Sequence, residues 1–356
     1  MNNFDDLKLA TEAMSGGKNT VLLDDVGMPS IMVVIPKMNN KDLVTGATDE
    51  THPAFVVDGV EKDKVYISKY LNIVQNNRAY SLPMQDPRAN VVFNSALNYC
   101  KNKGEGWGLT PYSLWAAIAL WCKKNKTQPR GNNNFGNDYT YKFEKGIATT
   151  VDSDGRTNRT ATGSGPVTWY HDYTIAGICD MNGNVSEWNA GARIVEGVLQ
   201  FIPYANCMEP EIDLKDTSNY WKTMSDSGCF AEIGDTSAIK LDYIEDKWAY
   251  ITNDQNFTSQ TNAARQCKFT NITYDSEYLD NNAAMFLKKM ALLPETDDTD
   301  YGDDVFIANN GASECVLYRG GYWGHSGGAG VFFANLSNPR TSDLTSIGFR
   351  SAYYEL

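Results

Sequence analysis

A chain of 356 residues, 42% hydrophobic, 21% charged and 12% aromatic, has enough apolar material for a large core or for two domains. Its net charge of -13 argues against a nucleic acid or an anionic membrane surface as partner, because both call for a basic patch. No apolar run nears the roughly 20 residues of a bilayer span, and the start, Met1-Asn2-Asn3-Phe4-Asp5-Asp6, has neither the basic nor the apolar region of a secretion signal, so none is expected.

In chain order, residues 1–18 read as a polar lead-in that Ser15-Gly16-Gly17-Lys18 breaks off, with 19–356 as the folded domain. Pro29-Ser30-Ile31-Met32-Val33-Val34-Ile35-Pro36 is a proline-bounded apolar run and predicts a buried strand. Phe55-Val56-Val57 and the 65–70 segment predict further strands with a turn at Asp58-Gly59. Phe93, Ala96, Leu97 and Cys100 recur at helical spacing over 92–103, and Gly104 and Gly106 stop the helix. Thr110-Pro111 opens the strongest helix, with Thr110 as its cap and Pro111 in first position; Leu114, Trp115, Ile118 and Cys122 form a core face.

Residues 129–165 are loop-like, and Asp152-Ser153-Asp154-Gly155 lacks the downstream Glu of a calcium loop, so it reads as a turn. Asn182-Gly183 predicts a tight turn between two short apolar segments. Scattered aromatics show that 195–310 folds; 283–293 is helical and 295–304 is acidic and solvated. The seven Cys include no CxxC pair, and the three His no i,i+4 pair. No metal site, no cofactor and no disulfide framework is expected, and a reducing compartment with thiols buried as small hydrophobes is the simplest reading.

The closing stretch 318–354 carries an unusual vocabulary. A strand at 331–336 would turn Phe332, Ala334 and Leu336 to the core and Phe333 and Asn335 outward. Around it stand Tyr322, Gly324, His325 and Ser326 on one side and Ser337, Thr341, Ser342, Asp343, Leu344, Thr345 and Ser346 on the other, with almost no Lys or Glu. Paratopes combine rigid aromatics with small polar groups in this way; a Gly/Ser/Thr-rich pair of loops on a sheet edge is the plainer alternative.

Read together, the motifs resemble a family. Asp180-Met181-Asn182-Gly183-Asn184-Val185-Ser186-Glu187-Trp188 is similar to the signature of the formylglycine-generating enzyme, or sulfatase-modifying factor, superfamily. Leu109-Thr110-Pro111-Tyr112-Ser113-Leu114-Trp115-Ala116-Ala117 resembles its helix, with Leu114 where Glu is usual. Met32-Val33-Val34-Ile35-Pro36 looks like its opening strand, and Arg319-Gly320-Gly321 with Trp323, then Gly348-Phe349-Arg350, like its closing motifs. The matches come in family order. They imply an α+β, C-type-lectin-like fold with long ordered loops and an expanded middle insert at 195–310.

That family's reactive Cys pair would fall at 322–328, which reads Tyr-Trp-Gly-His-Ser-Gly-Gly; the nearest thiol is Cys315. Catalysis is therefore not expected, although a copper-oxidase relative stays open as an alternative. The closing stretch further resembles the variable region of diversity-generating retroelement proteins, in which adenine-directed substitution scatters Asn codons into short polar and aromatic residues. Trp is out of reach of such changes. The resemblance implies a scaffold of Trp323, Phe332, Leu336, Ile347 and Phe349. It implies ligand-binding positions at Tyr322, Gly324, His325, Ser326, Phe333, Asn335, Ser337, Thr341, Asp343, Leu344, Thr345 and Ser346. The expected protein is a binding protein of a phage tail or virion, or of the host cytoplasm before assembly. Its expected partner is a cell-surface protein or glycan, and oligomerisation is open. An invariant adhesin, or a place on the bacterial cell surface, is the alternative.

Overall fold

The computed structural model describes residues 3–252, 255–295 and 300–356, and the architecture is mixed α+β. The polar lead-in is a helix, α1 (Asn3–Ser15), and it ends where Gly16 and Gly17 take φ of 62° and 81°, a region closed to most side chains. Strand β1 (Asn19–Leu23) runs antiparallel to β2 (Pro29–Pro36), whose bounds are those of the proline-limited run. Then come β3 (Lys64–Ser68), α2 (Phe93–Lys101), with Phe93, Ala96 and Cys100 buried, and β4 (Trp107–Leu109).

Helix α3 (Tyr112–Asn125) is buried from Tyr112 through Leu120. Its start corrects the expected cap. Pro111, not Thr110, is the N-cap residue, and the Thr110 hydroxyl donates to the Arg350 carbonyl at 2.9 Å. The cause is the sheet beside it. Thr110 N–H bonds Arg350 O and Thr110 O accepts from Ala190 N–H, so the residue serves strands rather than a helix end. Asn182-Gly183 likewise forms no hairpin. Gly183 has φ 76°, its N–H reaches Gly320 O at 3.0 Å, and an added Cβ would sit 2.1 Å from Asn132 O.

Strand β5 (Ser186–Val195) follows directly. The region 195–310 is interleaved with the sheet: β6 (Val198–Phe201), β7 (Ile239–Ile244), β8 (Lys247–Thr252), β9 (Arg265–Lys268), β10 (Thr273–Tyr274), α4 (Asn281–Lys289) and β11 (Val305–Ala308). Asp280 caps α4 by accepting from Asn282 N–H and Ala283 N–H at 2.7 and 3.1 Å. The acidic stretch 295–304 is not uniformly solvated. Residues 296–299 lie outside the described residues, but Glu295 pairs with Lys123 at 2.7 Å and Asp304 is buried. The chain closes with β12 (Cys315–Gly320), β13 (Gly330–Leu336), β14 (Ile347–Gly348) and β15 (Ser351–Tyr353).

Among the described residues the larger sheet has twelve strands, with a central path β9-β11-β13-β12-β5-β6-β7-β8-β10 and β14 parallel to β5. The smaller sheet runs β1-β2-β3-β15-β4, so the last strand is hydrogen-bonded between elements from the first third of the chain. Arg350 fastens the two sheets. Its guanidinium, fully buried, takes Glu187 in a fork at 2.6 and 2.7 Å and donates to Ser68 O and Cys179 O at 3.0 and 2.9 Å. Burial penalises that charge, and Glu187 together with Asp180 and Cys179 more than offsets it, so the Arg350 pKa lies above the ordinary arginine value.

Strand β13 overturns the expected division of faces. Phe332, Ala334 and Leu336 enter the main core with α3 and α4, as expected. Phe333 faces the other way and is also 0% exposed, because it lies in a second core cluster with Val91, Phe93 and Ala96 of α2 and the segment ahead of it, Trp188 of β5, Val316 and Tyr318 of β12, and Phe349. Asn335 is buried beside it.

Candidate functional site

The candidate site is built on two loops that leave β13 at its two ends. The first, 321–329, is set by Gly320 and Gly321, both at positive φ (88° and 75°). Its scaffold residue Trp323 packs against Leu71, Ala89 and Val185, and its backbone is clamped by Trp323 N–H to Asn184 O and Phe135 N–H to Trp323 O. Outside that anchor lie Tyr322, Gly324, His325 and Ser326, all half-buried. The Tyr322 and His325 rings meet edge-on at 4.2 Å, and His325 tilts over Phe333 at 4.6 Å. His325 Nδ1 accepts from Tyr322 N–H at 3.3 Å. Burial pushes the imidazole down to about 4, so it is neutral at pH 7 and offers the site polarity without charge.

The second loop, 337–346, is held from below. Arg340 takes Glu314 by Nε at 2.6 Å and donates to Leu214 O at 3.0 Å and Asn94 Oδ1 at 3.1 Å; Arg193 shares the same carboxylate. Thr341, Asp343, Leu344 and Thr345 are exposed above this network, with Leu344 at 42%, and Ser337 and Ser346 are half-buried at its ends. Asn90 N–H bonds Leu344 O, and Ser186 N–H bonds Ser346 O, while Ala89 and Val185 carry Trp323 of the first loop. The two loops therefore flank the same short segments, 89–90 and 185–186.

Of the candidate positions, Phe333 and Asn335 are corrected: neither looks outward. Phe333 is sandwiched between His325 and Tyr318, and Asn335 Oδ1 accepts from the Ser337 N–H and hydroxyl, both at 2.8 Å. They support the loops from beneath. The scaffold assignments for Trp323, Phe332, Leu336, Ile347 and Phe349 coincide with burial.

Sequence reading missed the side wall. Residues 131–144, read as plain loop, are an ordered frame in which Asn side chains replace sheet hydrogen bonds. Asn133 Nδ2 donates to Asn182 Oδ1 at 3.1 Å, Asn184 brackets Thr160 through N–H and carbonyl at 2.9 and 3.0 Å, and Asn132 Oδ1 accepts from Gly136 N–H at 2.6 Å. The frame bonds the first loop through Ser326 N–H to Asn133 O. It also presents Tyr139, Tyr141 and Phe143 to solvent, the last 80% exposed, and Tyr139 lies near Gly327. The Tyr139-Thr140-Tyr141-Lys142-Phe143 alternation was the available signal. On the far side a shallow cavity of about 290 Å³ opens at Val74, Asp86, Arg88, Asn90 and Arg159, where Arg159 takes Asp86 in a fork at 3.0 and 2.8 Å.

No model of a known protein family matches the chain, and no curated protein matches it either. No helix among the described residues is long and apolar enough to cross a membrane.

Proposed function

We propose that this chain is a non-catalytic ligand-binding protein. On this reading its fold is C-type-lectin-like and related to the formylglycine-generating enzymes, and its two C-terminal loops are diversified to meet varying protein or glycan partners on a cell surface. The proposed setting is a phage tail or virion. One observation carries the proposal: between 318 and 354, ten of the twelve candidate positions stay open to solvent, the buried Phe333 and Asn335 being the exceptions. The short polar and mixed positions Tyr322, Gly324, His325, Ser326, Ser337, Thr341, Asp343, Leu344, Thr345 and Ser346 are half-buried or exposed, and the apolar positions between them are buried. Binding by rigid display, with aromatic anchors and small polar neighbours, needs that separation.

Two observations bear on the rivals. Cys315 is buried at the start of β12 and burial pushes its thiol up to about 12, a poor starting point for copper-thiolate chemistry. The burial of Phe333 and Asn335 favours an invariant adhesin over a fully variable region, since free substitution there would damage the core. Sequencing this locus across a population decides the matter. The proposal expects substitutions concentrated at the solvent-facing positions, with an Asn-rich near-copy of the codons for 319–350 beside a reverse transcriptase gene. An invariant locus without such a copy would leave the adhesin.

A further inference from the structure

A second cavity lies away from the C-terminal loops, between β2, α3 and the turn 171–178. It measures about 200 Å³, and Val33, Ile35, Met38, Ile118 and Trp121 supply its apolar walls. For scale, a dry cavity of about 150 Å³ lined by Leu, Ile and Phe admits benzene. Among the polar groups that line it, His171 stands out. It is only 7% exposed and its ring lies 5.4 Å from that of Trp121.

Its Nδ1 accepts from Ile178 N–H at 2.8 Å, which places the ring proton on Nε2. With the Nδ1 edge committed to the turn, Nε2–H is the ring donor left for the cavity that His171 lines. An acceptor placed against it would gain one hydrogen bond. The other polar groups are satisfied or balanced. Asp172 accepts from Thr174 N–H and hydroxyl at 3.0 and 2.9 Å, and Lys18 at the rim is paired with Asp172 at 3.4 Å. Burial pushes His171 down to about 4, with Asp172 opposing, so the ring is neutral at pH 7 and exerts no pull on an anion.

We propose that this cavity binds a small neutral molecule made of one apolar ring and a single hydrogen-bond acceptor, the ring lying among Val33, Ile118 and Trp121 and the acceptor taking the His171 Nε2 proton. The site is independent of the C-terminal loops and of the function proposed for them.

The probes are acetophenone and α-methylstyrene, which have nearly the same shape and differ in C=O against C=CH₂. Titration of the full chain, followed by saturation-transfer NMR, should show saturable binding of both, with the ketone preferred by about fivefold, the worth of one net hydrogen bond. His171→Asn keeps an acceptor for Ile178 N–H and withdraws the donor from the Nε2 position to a shorter amide; it should lose the preference for the ketone. Met38→Trp fills the cavity from its half-buried edge and should abolish binding of both. The proposal is overturned if the native chain binds neither probe saturably, if it binds them equally, or if binding survives Met38→Trp.

Discussion

Phe333 and Leu344 belong to the same closing stretch, and burial separates their roles. Phe333→Ala empties space between Tyr318, Trp188 and His325 and should cost about 3–5 kcal/mol in chemical denaturation. Leu344→Ala removes an exposed side chain and should change stability by no more than about 0.5 kcal/mol; equal losses would mean that the second loop is a core element. Asp304 gives a pH signature. Burial pushes its carboxyl up to about 7, partly opposed by amides of β13, one of them Phe332 N–H at 2.7 Å. A folded pKa above the unfolded one means that the group favours folding below the unfolded value and that this contribution is lost as pH rises through 7. Asp304→Asn cannot ionise, so urea midpoints should show it gaining on the native chain between pH 4 and 8, by on the order of 3 kcal/mol. His52, His171 and His325 act in the opposite sense: each is pushed down to about 4 by burial, and its contribution, present above pH 6.5, is lost on acidification. Comparing variant with native chain at each pH cancels them.

At the scale of elements, the first loop depends on how it leaves β12. Gly321 has φ 75°, and an added Cβ would lie 2.6 Å from Ala329 Cβ and 3.1 Å from His325 Nδ1. Gly321→Ala should lose about 2 kcal/mol or more, combining left-handed strain with that clash. Gly324→Ala meets only the movable ring edge of Tyr322, at 2.9 Å, and should cost clearly less. Thermal denaturation of the pair checks this; the reverse order would place the constraint in the loop tip rather than at its root. The same logic explains α3. Its sequence is apolar on almost every face, which a surface helix could not sustain, and Trp115 Nε1 donates to Val331 O at 2.8 Å to join it to β13.

For the whole molecule, the frame is redundant. Arg350 with Glu187, Arg340 with Glu314, and the Asn lattice of 132–134 and 182–184 each hold the loop bases from a different direction. A library that changes Tyr322, Gly324, Ser326, Thr341, Asp343, Leu344 and Thr345 together should therefore keep its melting temperature within about 5 °C of the native chain for most members, since none of these side chains lies in the buried core and each adds a small term. Widespread unfolding in such a library would show that the loops help to stabilise the sheet.

The sequence by itself determined the helices at Phe93–Lys101 and Tyr112–Asn125 and the strand Pro29–Pro36, and it marked Trp323, Ile347 and Phe349 as residues that turn out buried. Those signals are local: apolar period, bounding prolines, and large apolar residues set among short polar ones. It misjudged Phe333, Asn335, Thr110 and Asp304, and it passed over Tyr139, Tyr141 and Phe143. For Phe333, Thr110, Asp304 and Tyr139 the neighbour is distant in the chain: α2 in the cluster with Phe333, Arg350 beside Thr110, β13 against Asp304, and Gly327 beside Tyr139. Alternation along a strand says that two faces differ, but only the tertiary structure says whether the second face meets water or another layer of protein.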